Sequence, residues 1–588
     1  MNSTNDSESS ALPLASSTEK VVGSVAEESI EYPTGMKLGL ISLAMCLSMF
    51  LVALVRATSF FCPRFNIDPA LRITLSSRWR FLKLQISSIA STILGDGRKT
   101  NNAARYLLTT ASFQLLFGRL YSFLSLKWVY IAAIGVFELG SLICAVAPSS
   151  TALIIGRAIA GLGGSGLATG TLIICVSAVP LERRSIYMGL ISAVYWAGSV
   201  AGPLLGGALT DKASWRFCFW INLPIGAMTV IVIALFFKPP GNIQEVQSIS
   251  LRKRIEQFDP WGTLVFIPAT VCLLLALQWG GSQYSWSNGR IIALLILFGV
   301  LIAAFVAIQA WKQDDATVPP RVFNQPGIKA AAWFALCLSG SFLTLVYLVS
   351  PSFLLHSPPA TLMPTVRPPP QLPIYFQAIK GASPVQSGID NLPLVLSVVL
   401  ATLAAGALIT KIGYYTPFMI LASVLVAVGA GVLSTLSVDA GAGHWIGYQI
   451  IYGIGVGAGI QQPLMVAQAV LKPADVPIGT SLILFMQTLG GSVFVSVGQN
   501  VFRSRLLSGL IRRAPGIDPS IVLNSGATRL HSAVDPALLP EVLAVYNDAI
   551  VAAIYVCLAV AALSIVGSLA TEWRNVRAPR AGGSADAG

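Results

Sequence analysis

The chain is 588 residues long, and 54% of its residues are apolar while only 11% are charged. A soluble protein carries about 25% charged residues, so this composition excludes a cytosolic enzyme, a disordered chain and a small disulfide scaffold. It predicts an integral membrane protein. Lys and Arg number 38 against 25 Asp and Glu, a formal net charge of +13. In a soluble protein this excess would suggest nucleic-acid binding. In a membrane protein it bears on which side of the bilayer each loop faces, and we expect no nucleic-acid partner.

The apolar segments predict fourteen membrane-spanning helices. A spanning helix needs about 20 mostly apolar residues, because each residue adds about 1.5 Å across a hydrocarbon core of about 30 Å. The segments that meet this requirement are 37–55, 106–124, 128–147, 152–178, 186–210, 216–237, 261–279, 291–311, 330–348, 391–410, 417–437, 445–470, 477–500 and 548–570. Strands of a β-barrel would be about 10 residues long with alternating polarity. The pattern therefore favours an all-α membrane protein with both termini on one side.

The polar segments predict the orientation of the chain. Residues 1–36 are rich in Ser and Glu and lack the apolar core of a signal peptide. We expect them to form a disordered cytosolic tail, with a second cytosolic tail at 571–588. When 56–105 is set aside, Lys and Arg are more frequent on the N-terminal side of the predicted helices, which places both termini in the cytosol. We expect a multi-pass protein of the plasma membrane.

A long polar loop, 238–260, follows the sixth predicted helix and separates two half-bundles. We expect one six-helix bundle over 37–237, a linker with two extra spanning helices over 238–328, and a second six-helix bundle over 329–570. No soluble segment is long enough to carry a catalytic site, and the eight Cys and three His show no metal-ligand spacing. We therefore predict no enzyme activity, no metal and no cofactor, and we expect a monomer.

Three motifs follow one another in the first half of the chain: GRLYSFLSLKW at 118–128, ALIIGRAIAGLGGSG at 152–166 and AGSVAGPLLGGALTDKASWRFCFWINLPIG at 197–226. Together they resemble the fourteen-helix drug:proton antiporter branch of the major facilitator superfamily, and within it fungal toxin and multidrug efflux pumps. The resemblance covers most of 36–348 and 372–573. It implies two six-helix bundles plus two linking helices, and proton-driven export of an amphipathic fungal metabolite or drug. The alternative is an uptake transporter of the same fold, for a sugar or siderophore.

Two charged residues within apolar spans are candidates for proton coupling. Arg157 lies near the start of the fourth helix, where a charge costs several kcal/mol unless it faces a polar cavity or a partner. The resemblance implies a cavity-lining charge coupled to proton movement, and the alternative is an arginine that snorkels to water. Glu138 lies in the middle of the third helix. It could carry a proton or make a structural hydrogen bond to a neighbouring helix.

The fifth helix carries the pattern GxxxGPxxGG, formed by Gly198, Gly202, Pro203, Gly206 and Gly207. The spacing of four between Gly198, Gly202 and Gly206 leaves one face without side chains, on which a neighbouring helix can approach closely. Pro203 is expected to kink the helix. Taken alone, the stripe predicts close packing. Together with the flanking motifs it matches the antiporter signature, which the resemblance associates with exchange.

Gly118, Arg119 and Lys127 lie between the second and third predicted helices, where the resemblance places a gating loop. The family pattern expects an acidic residue, a second glycine and an arginine in this loop. At those positions the chain has Ser122, Ser125 and Leu126. The usual carboxylate–arginine latch cannot form in that way. The three candidate residues could dock on helix ends instead, or belong to a plain charged loop.

Four amide side chains within apolar runs are candidates for the substrate pathway: Asn222, Gln461, Gln462 and Gln487. An amide in a membrane helix can hold two helices together by about 0.6–2 kcal/mol. It can equally line the path of an amphipathic substrate. Both interpretations stay open from the sequence.

Two stretches, 55–105 and 349–371, fit neither the fold nor the resemblance. In the first, the family continues the opening helix with an embedded Asp that this chain lacks. In the second, joining Leu348 to Leu372 would restore the family-like VYLLPIYFQ, and the codons at the two ends can supply the ends of an intron. We hypothesise that 349–371 is a retained intron and that 55–105 holds another mis-annotated one. The alternative is a real pair of outer loops, which a dominant transcript carrying both stretches would establish. If this chain is made, it could be an inactive mis-spliced product.

Overall fold

The computed structural model describes residues 32–58, 102–239, 259–281, 284–348, 375–382, 384–519, 522 and 530–577. Within these ranges the chain forms helices and their connections, and no β-strand. The hypotheses on the N-terminal tail, on 349–371 and on most of 55–105 fall outside the described residues. The domain boundaries proposed from the sequence stay predictions.

Fourteen helices of fifteen residues or more make up most of the described chain. In chain order they are α1 Gly35–Thr58, α2 Asn102–Phe123, α3 Leu126–Ala145, α4 Ser150–Ala178, α5 Leu181–Lys212, α6 Asn222–Phe236, α7 Pro260–Trp279, α8 Gly289–Lys312, α9 Pro326–Leu348, α10 Leu392–Ile412, α11 Thr416–Leu433, α12 Ala442–Gly459, α13 Val476–Arg513 and α14 Leu539–Ala570. A further short helix, Gln462–Val470, continues α12 after a break. Within the described ranges, 12 helical segments could cross a membrane by length and composition, and α2 and α5 are not among them. The count of fourteen spans therefore stays a prediction.

Some observed helices extend beyond the predicted spans. The first predicted span ends at 55, whereas α1 continues to Thr58. The span predicted over 477–500 lies within α13, which continues to Arg513, and α14 begins at Leu539 instead of 548. The apolar pattern marks only the part of a helix that lies in hydrocarbon. A polar continuation of the same helix is therefore invisible to it.

The helices form two groups. Helices α1 to α6 pack with one another, and α9 to α14 pack with one another. The groups meet along two seams, where α2 lies against α13 and α5 lies against α10. Helix α7 contacts both α2 and α13, and α8 packs on α7. Only 11% of the most apolar stretch of α8 is buried inside the protein, so α8 lies at the periphery with its apolar side chains toward lipid.

A buried carboxylate fastens α7 to α8. Asp259, the N-cap of α7, has a φ of 47°, a left-handed conformation that Asp and Asn adopt more readily than most residues. Its side chain accepts hydrogen bonds from the Gly262 N–H (2.9 Å), from Gln309 Nε2 (2.9 Å), and from the N–H (3.0 Å) and hydroxyl (2.8 Å) of Thr317. Burial alone would raise the pKa of Asp259, but these hydrogen bonds outweigh it and hold the pKa below its usual value.

Candidate functional site

A cavity of about 210 Å³ lies between the two helix groups. Side chains from α1, α2, α4 and α5 line one side, and side chains from α9, the break after α12 and α13 line the other. Trp196 of α5 and Phe342 of α9 meet edge to face in its wall, with ring centroids 4.9 Å apart. Most polar lining groups are hydroxyls and amides, among them Gln114, Ser192, Gln278, Thr488 and Ser492. Rings combined with a few hydrogen-bonding groups suit a small amphipathic molecule.

Two of the four amides proposed for the substrate pathway line this cavity. Gln487 does so from α13, where its Nε2 donates to the Ile460 carbonyl at 3.0 Å. Gln461 lies in the break after α12, and its amide contacts the hydroxyl of Ser192 on α5. This contact links the second helix group to the first beside the cavity.

The other two amides do not belong to the cavity lining. Asn222, at the start of α6, is fully buried and donates to the Ser141 hydroxyl of α3 at 3.4 Å. Gln462 donates to the Ala458 carbonyl at 2.9 Å, across the break in its own helix. The contact of Asn222 links α3 to α6, whereas that of Gln462 is local to its own helical segment.

Arg157 lies in the second turn of α4 and is 1% exposed. Its Nη1 donates to the Val55 carbonyl of α1 at 3.0 Å, and its guanidinium lies over the ring of Tyr106, 5.0 Å from the centroid. Tyr106 itself lines the cavity. The ring of Tyr106 therefore separates the Arg157 guanidinium from the cavity. A cation over an aromatic face is a favourable contact where water is excluded.

The Glu138 carboxylate lies between α3 and α6, outside the cavity lining. It packs against Gly226 of α6, where a Cβ atom would overlap it. Neither carboxylate oxygen has a hydrogen-bond partner among the described residues. A charge without a partner at membrane depth costs several kcal/mol.

All five residues of the glycine–proline pattern lie within α5, which is helical without interruption from Leu181 to Lys212. A Cβ on Gly198 would lie 2.9 Å from the ring of Phe50 and 3.1 Å from Ala53 Cβ, both on α1. Gly202 and Gly206 are also buried. Glycine at 198 therefore permits close packing of α5 on α1, whereas the kink expected at Pro203 stays a prediction.

The three residues predicted for the gating loop lie in helices, because the connection between α2 and α3 is only two residues long. Gly118 and Arg119 belong to the last turns of α2, and Lys127 belongs to the first turn of α3. Lys127 Nζ donates to the Ala234 carbonyl at 2.5 Å, near the end of α6, and Arg119 Nη2 donates to the Asp314 carbonyl at 3.1 Å. Each of these two cationic side chains donates to a backbone carbonyl of another segment. Neither therefore depends on extending into water to be solvated.

At one end of the bundle, glycines allow the helices of both seams to approach each other closely. On the first seam, a Cβ on Gly118 of α2 would overlap Ser481 of α13. On the second, a Cβ on Gly189 of α5 would lie 2.9 Å from the Thr402 carbonyl oxygen of α10, and Gly406 of α10 is in similar contact with α5. We call this the closed end. It is the end at which α2 and α10 finish and α5 and α13 begin.

The segment between α8 and α9 crosses the first seam at the closed end. Arg321 donates to both carboxylate oxygens of Asp475, at 2.6 and 2.9 Å, and to Asp314 at 2.5 Å. Hydrogen bonding to Asp475 raises the pKa of Arg321 above its ordinary value. Asp475 directly precedes α13, and Asp314 is the residue whose carbonyl accepts from Arg119 of α2. The segment therefore joins α2 to α13, a link that no pattern in the sequence indicated.

Comparison with known proteins is consistent with this architecture. A family model described as the Major Facilitator Superfamily matches residues 45–495. The chain is 44% identical over 551 residues to the MFS-type transporter astH of Aspergillus oryzae, covering 94% of this chain and 89% of that one. It is also 44% identical over 553 residues to the MFS-type efflux pump MFS1 of Arthroderma benhamiae, covering 94% of each. The crystal structure of the human organic anion transporter MFSD10 has the same fold, with 12% identity and a TM-score of 0.50 over 89% of this chain and 100% of that one. On this evidence the chain belongs to the major facilitator superfamily.

Proposed function

We propose that the protein is a secondary active efflux transporter that exports amphipathic organic compounds by alternating access, driven by an inward proton gradient. The observation that carries this proposal is the cavity between two helix groups whose seams are closed by glycine contacts at one end. Transporters built from two repeats work by rocking one group against the other around a central site. The name of the relative from Arthroderma benhamiae, an efflux pump, supports the direction of transport.

The orientation follows from the placement of the N-terminus in the cytosol, which the distribution of Lys and Arg favours. Helix α1 then runs outward and α2 returns inward, so the closed end faces the cytosol. Substrate in the cavity is separated from the cytosol in this state. To load substrate, α2 must part from α13 and α5 must part from α10.

Arg157 and Glu138 are the proposed proton-coupling residues. Arg157 packs on Tyr106, so a substrate or a helix movement that displaces Tyr106 from the cavity wall changes the surroundings of the guanidinium. Glu138 lies between two helices without a described donor, which suits it to hold a proton in one state and release it in the other. Coupling then consists of proton uptake from outside, movement of the helix groups, and proton release to the cytosol.

The proposed substrates are amphipathic ring compounds, such as a fungal secondary metabolite or a drug. This proposal follows from the mixture of aromatic rings, hydroxyls and amides in the cavity wall, to which Arg56 of α1 adds a cation that donates to the Tyr195 hydroxyl at 2.8 Å. We further propose that the protein acts as a monomer in the plasma membrane.

Transport in reconstituted vesicles tests the function. The probes are a set of amphipathic fluorescent compounds that includes rhodamine 6G, with a pH gradient of either sign across the vesicle membrane. We expect dye movement that follows the proton gradient and stops when a protonophore collapses it. Dye movement that persists unchanged without the gradient would contradict proton coupling, and no movement of any probe would contradict the efflux proposal for this chain.

Arg157→Ala tests the coupling role, with Arg216→Ala as the matched control. Arg216 makes the same kinds of contact, one hydrogen bond to the Ala147 carbonyl at 3.0 Å and a cation–π contact with Trp215 at 4.6 Å, but its ring partner does not line the cavity. We expect Arg157→Ala to lose gradient-driven export while Arg216→Ala retains it. Normal proton-coupled export by Arg157→Ala would remove this residue from the mechanism.

A further inference from the structure

The cavity has a third wall, which comes from neither of the two helix groups. Leu274, Leu277 and Gln278 of α7 line it together with the helices of the two groups. Their spacing of three and four residues places them on one face of the helix. Helix α7 is one of the two extra helices between the groups.

Packing holds this face of α7 against the cavity. Leu274 and Leu275 form a buried cluster with Leu108 and Ala111 of α2. The N-terminal half of α7 packs on α13, the other helix of this seam. The ring centroids of Phe266 on α7 and Phe485 on α13 are 5.1 Å apart. Helix α7 therefore lies over the seam between α2 and α13 and closes the cavity laterally.

The first turns of α7 include a residue with a different environment. Leu264 is 62% exposed on the outer surface of the protein, where lipid covers apolar side chains. Leu264 and Leu277 are thus the same residue type on the same helix, one toward lipid and one toward the cavity.

We infer that α7 is part of the substrate-binding site and that Leu277 is a specificity-determining residue. Its side chain contacts the apolar part of a bound ring compound, and the neighbouring Gln278 provides a polar group beside it. This inference deepens the proposed efflux function and rests on it. It implies that the first of the two extra helices takes part in substrate selection.

A labelling experiment tests the placement of Leu277 without knowledge of the substrate. Leu277→Cys and Leu264→Cys are each treated with a membrane-impermeant methanethiosulfonate reagent in reconstituted full-length protein. The cysteines of the described chain are all buried and free, so the unsubstituted protein gives the background. Since the reagent needs a water-exposed thiolate, we expect Leu277→Cys to react about tenfold faster than Leu264→Cys. Equal rates would overturn the inference.

A transport experiment tests the specificity role. Leu277→Ala and Leu264→Ala are compared for export of amphipathic dyes that differ in ring size. Loss of apolar contact in a binding pocket changes the discrimination between two substrates by about tenfold or more. We therefore expect Leu277→Ala to alter the ratio of KM values between two dyes. Leu264→Ala should leave this ratio unchanged. Identical ratios in both variants would overturn the inference. An unsubstituted protein that exports no dye would contradict the proposed function, and the labelling rates would still decide where Leu277 lies.

Discussion

At the scale of single residues, Asp259 shows how one side chain supports two helices. Asp259→Ala removes the acceptor of four hydrogen bonds and places alanine at a φ of 47°. Loss of one partner from a buried charged network costs about 3–5 kcal/mol. We expect a lower midpoint of thermal unfolding for the purified protein, and a smaller loss for Asp259→Asn, which tolerates the backbone conformation. Asp548→Ala, which breaks an exposed pair with Arg513, is the control and should cost less than about 1 kcal/mol.

The lowered pKa of Asp259 adds a prediction on pH. The pKa of Asp259 is lower in the folded than in the unfolded protein. The carboxylate charge therefore stabilises the fold fully at pH values above the pKa in the unfolded chain, about 3.9. This stabilisation is lost as the pH falls through the folded pKa. The difference in unfolding midpoint between the unsubstituted protein and Asp259→Asn should therefore be largest near neutral pH and shrink below about pH 4. A difference that is constant from pH 7 to pH 3 would show that the charge is not what stabilises this network.

At the scale of helices, the close contact between α2 and α13 depends on glycine at position 118. Gly118→Ala would overlap Ser481, and overpacking of this kind costs about 1–3 kcal/mol. We expect the substitution to separate the two helices at the closed end, which a longer distance between spin labels on α2 and α13 would report. Ser481→Gly in the same chain should restore the original distance.

The control for this prediction is Gly135→Ala on α3. A Cβ there would meet no atom within 4 Å, so alanine should change neither the distance nor the transport rate. If Gly118→Ala gave the same distance as Gly135→Ala, close approach at Gly118 would not be what holds the seam closed.

At the scale of the whole molecule, the balance between closed and open states depends on Arg321. Its hydrogen bonds to Asp475 join the segment after α8 to the start of α13, and such a half-exposed pair contributes about 1–2 kcal/mol. Arg321→Gln is therefore expected to raise the population that is open at the closed end about tenfold, measured as spin-label distance distributions. Arg513→Gln, which breaks a pair inside one helix group, should leave the distribution unchanged.

Asp475→Asn extends the same test. Since both substitutions remove the Arg321–Asp475 interaction, the double variant should shift the population no further than Arg321→Gln alone. Additive shifts would mean that Arg321 and Asp475 act through separate contacts.

The sequence predicts the helices of this protein well and their rotations poorly. Lipid requires long apolar segments, so the apolar part of a helix could be located, whereas the polar extensions of α13 to Arg513 and of α14 from Leu539 could not. The direction that a polar side chain faces depends on how its helix packs against neighbours. For that reason Gln487 and Asn222, indistinguishable as amides in apolar runs, lie in the cavity wall and between two helices, respectively. The pairing of Arg321 with Asp475, 154 residues apart, follows from the fold alone.

The contacts that α7 and α8 make with the rest of the protein limit which deletions the gene can tolerate. Deletion of the block from Pro260 to Lys312 would remove Leu277 from the cavity and would remove the helix that leads into the segment carrying Arg321. The two helices are therefore not a detachable module, and a shorter transporter could not arise from this one by a single excision. Variation should accumulate instead on the lipid face of α8, where one apolar residue can replace another without consequence for the rest of the molecule.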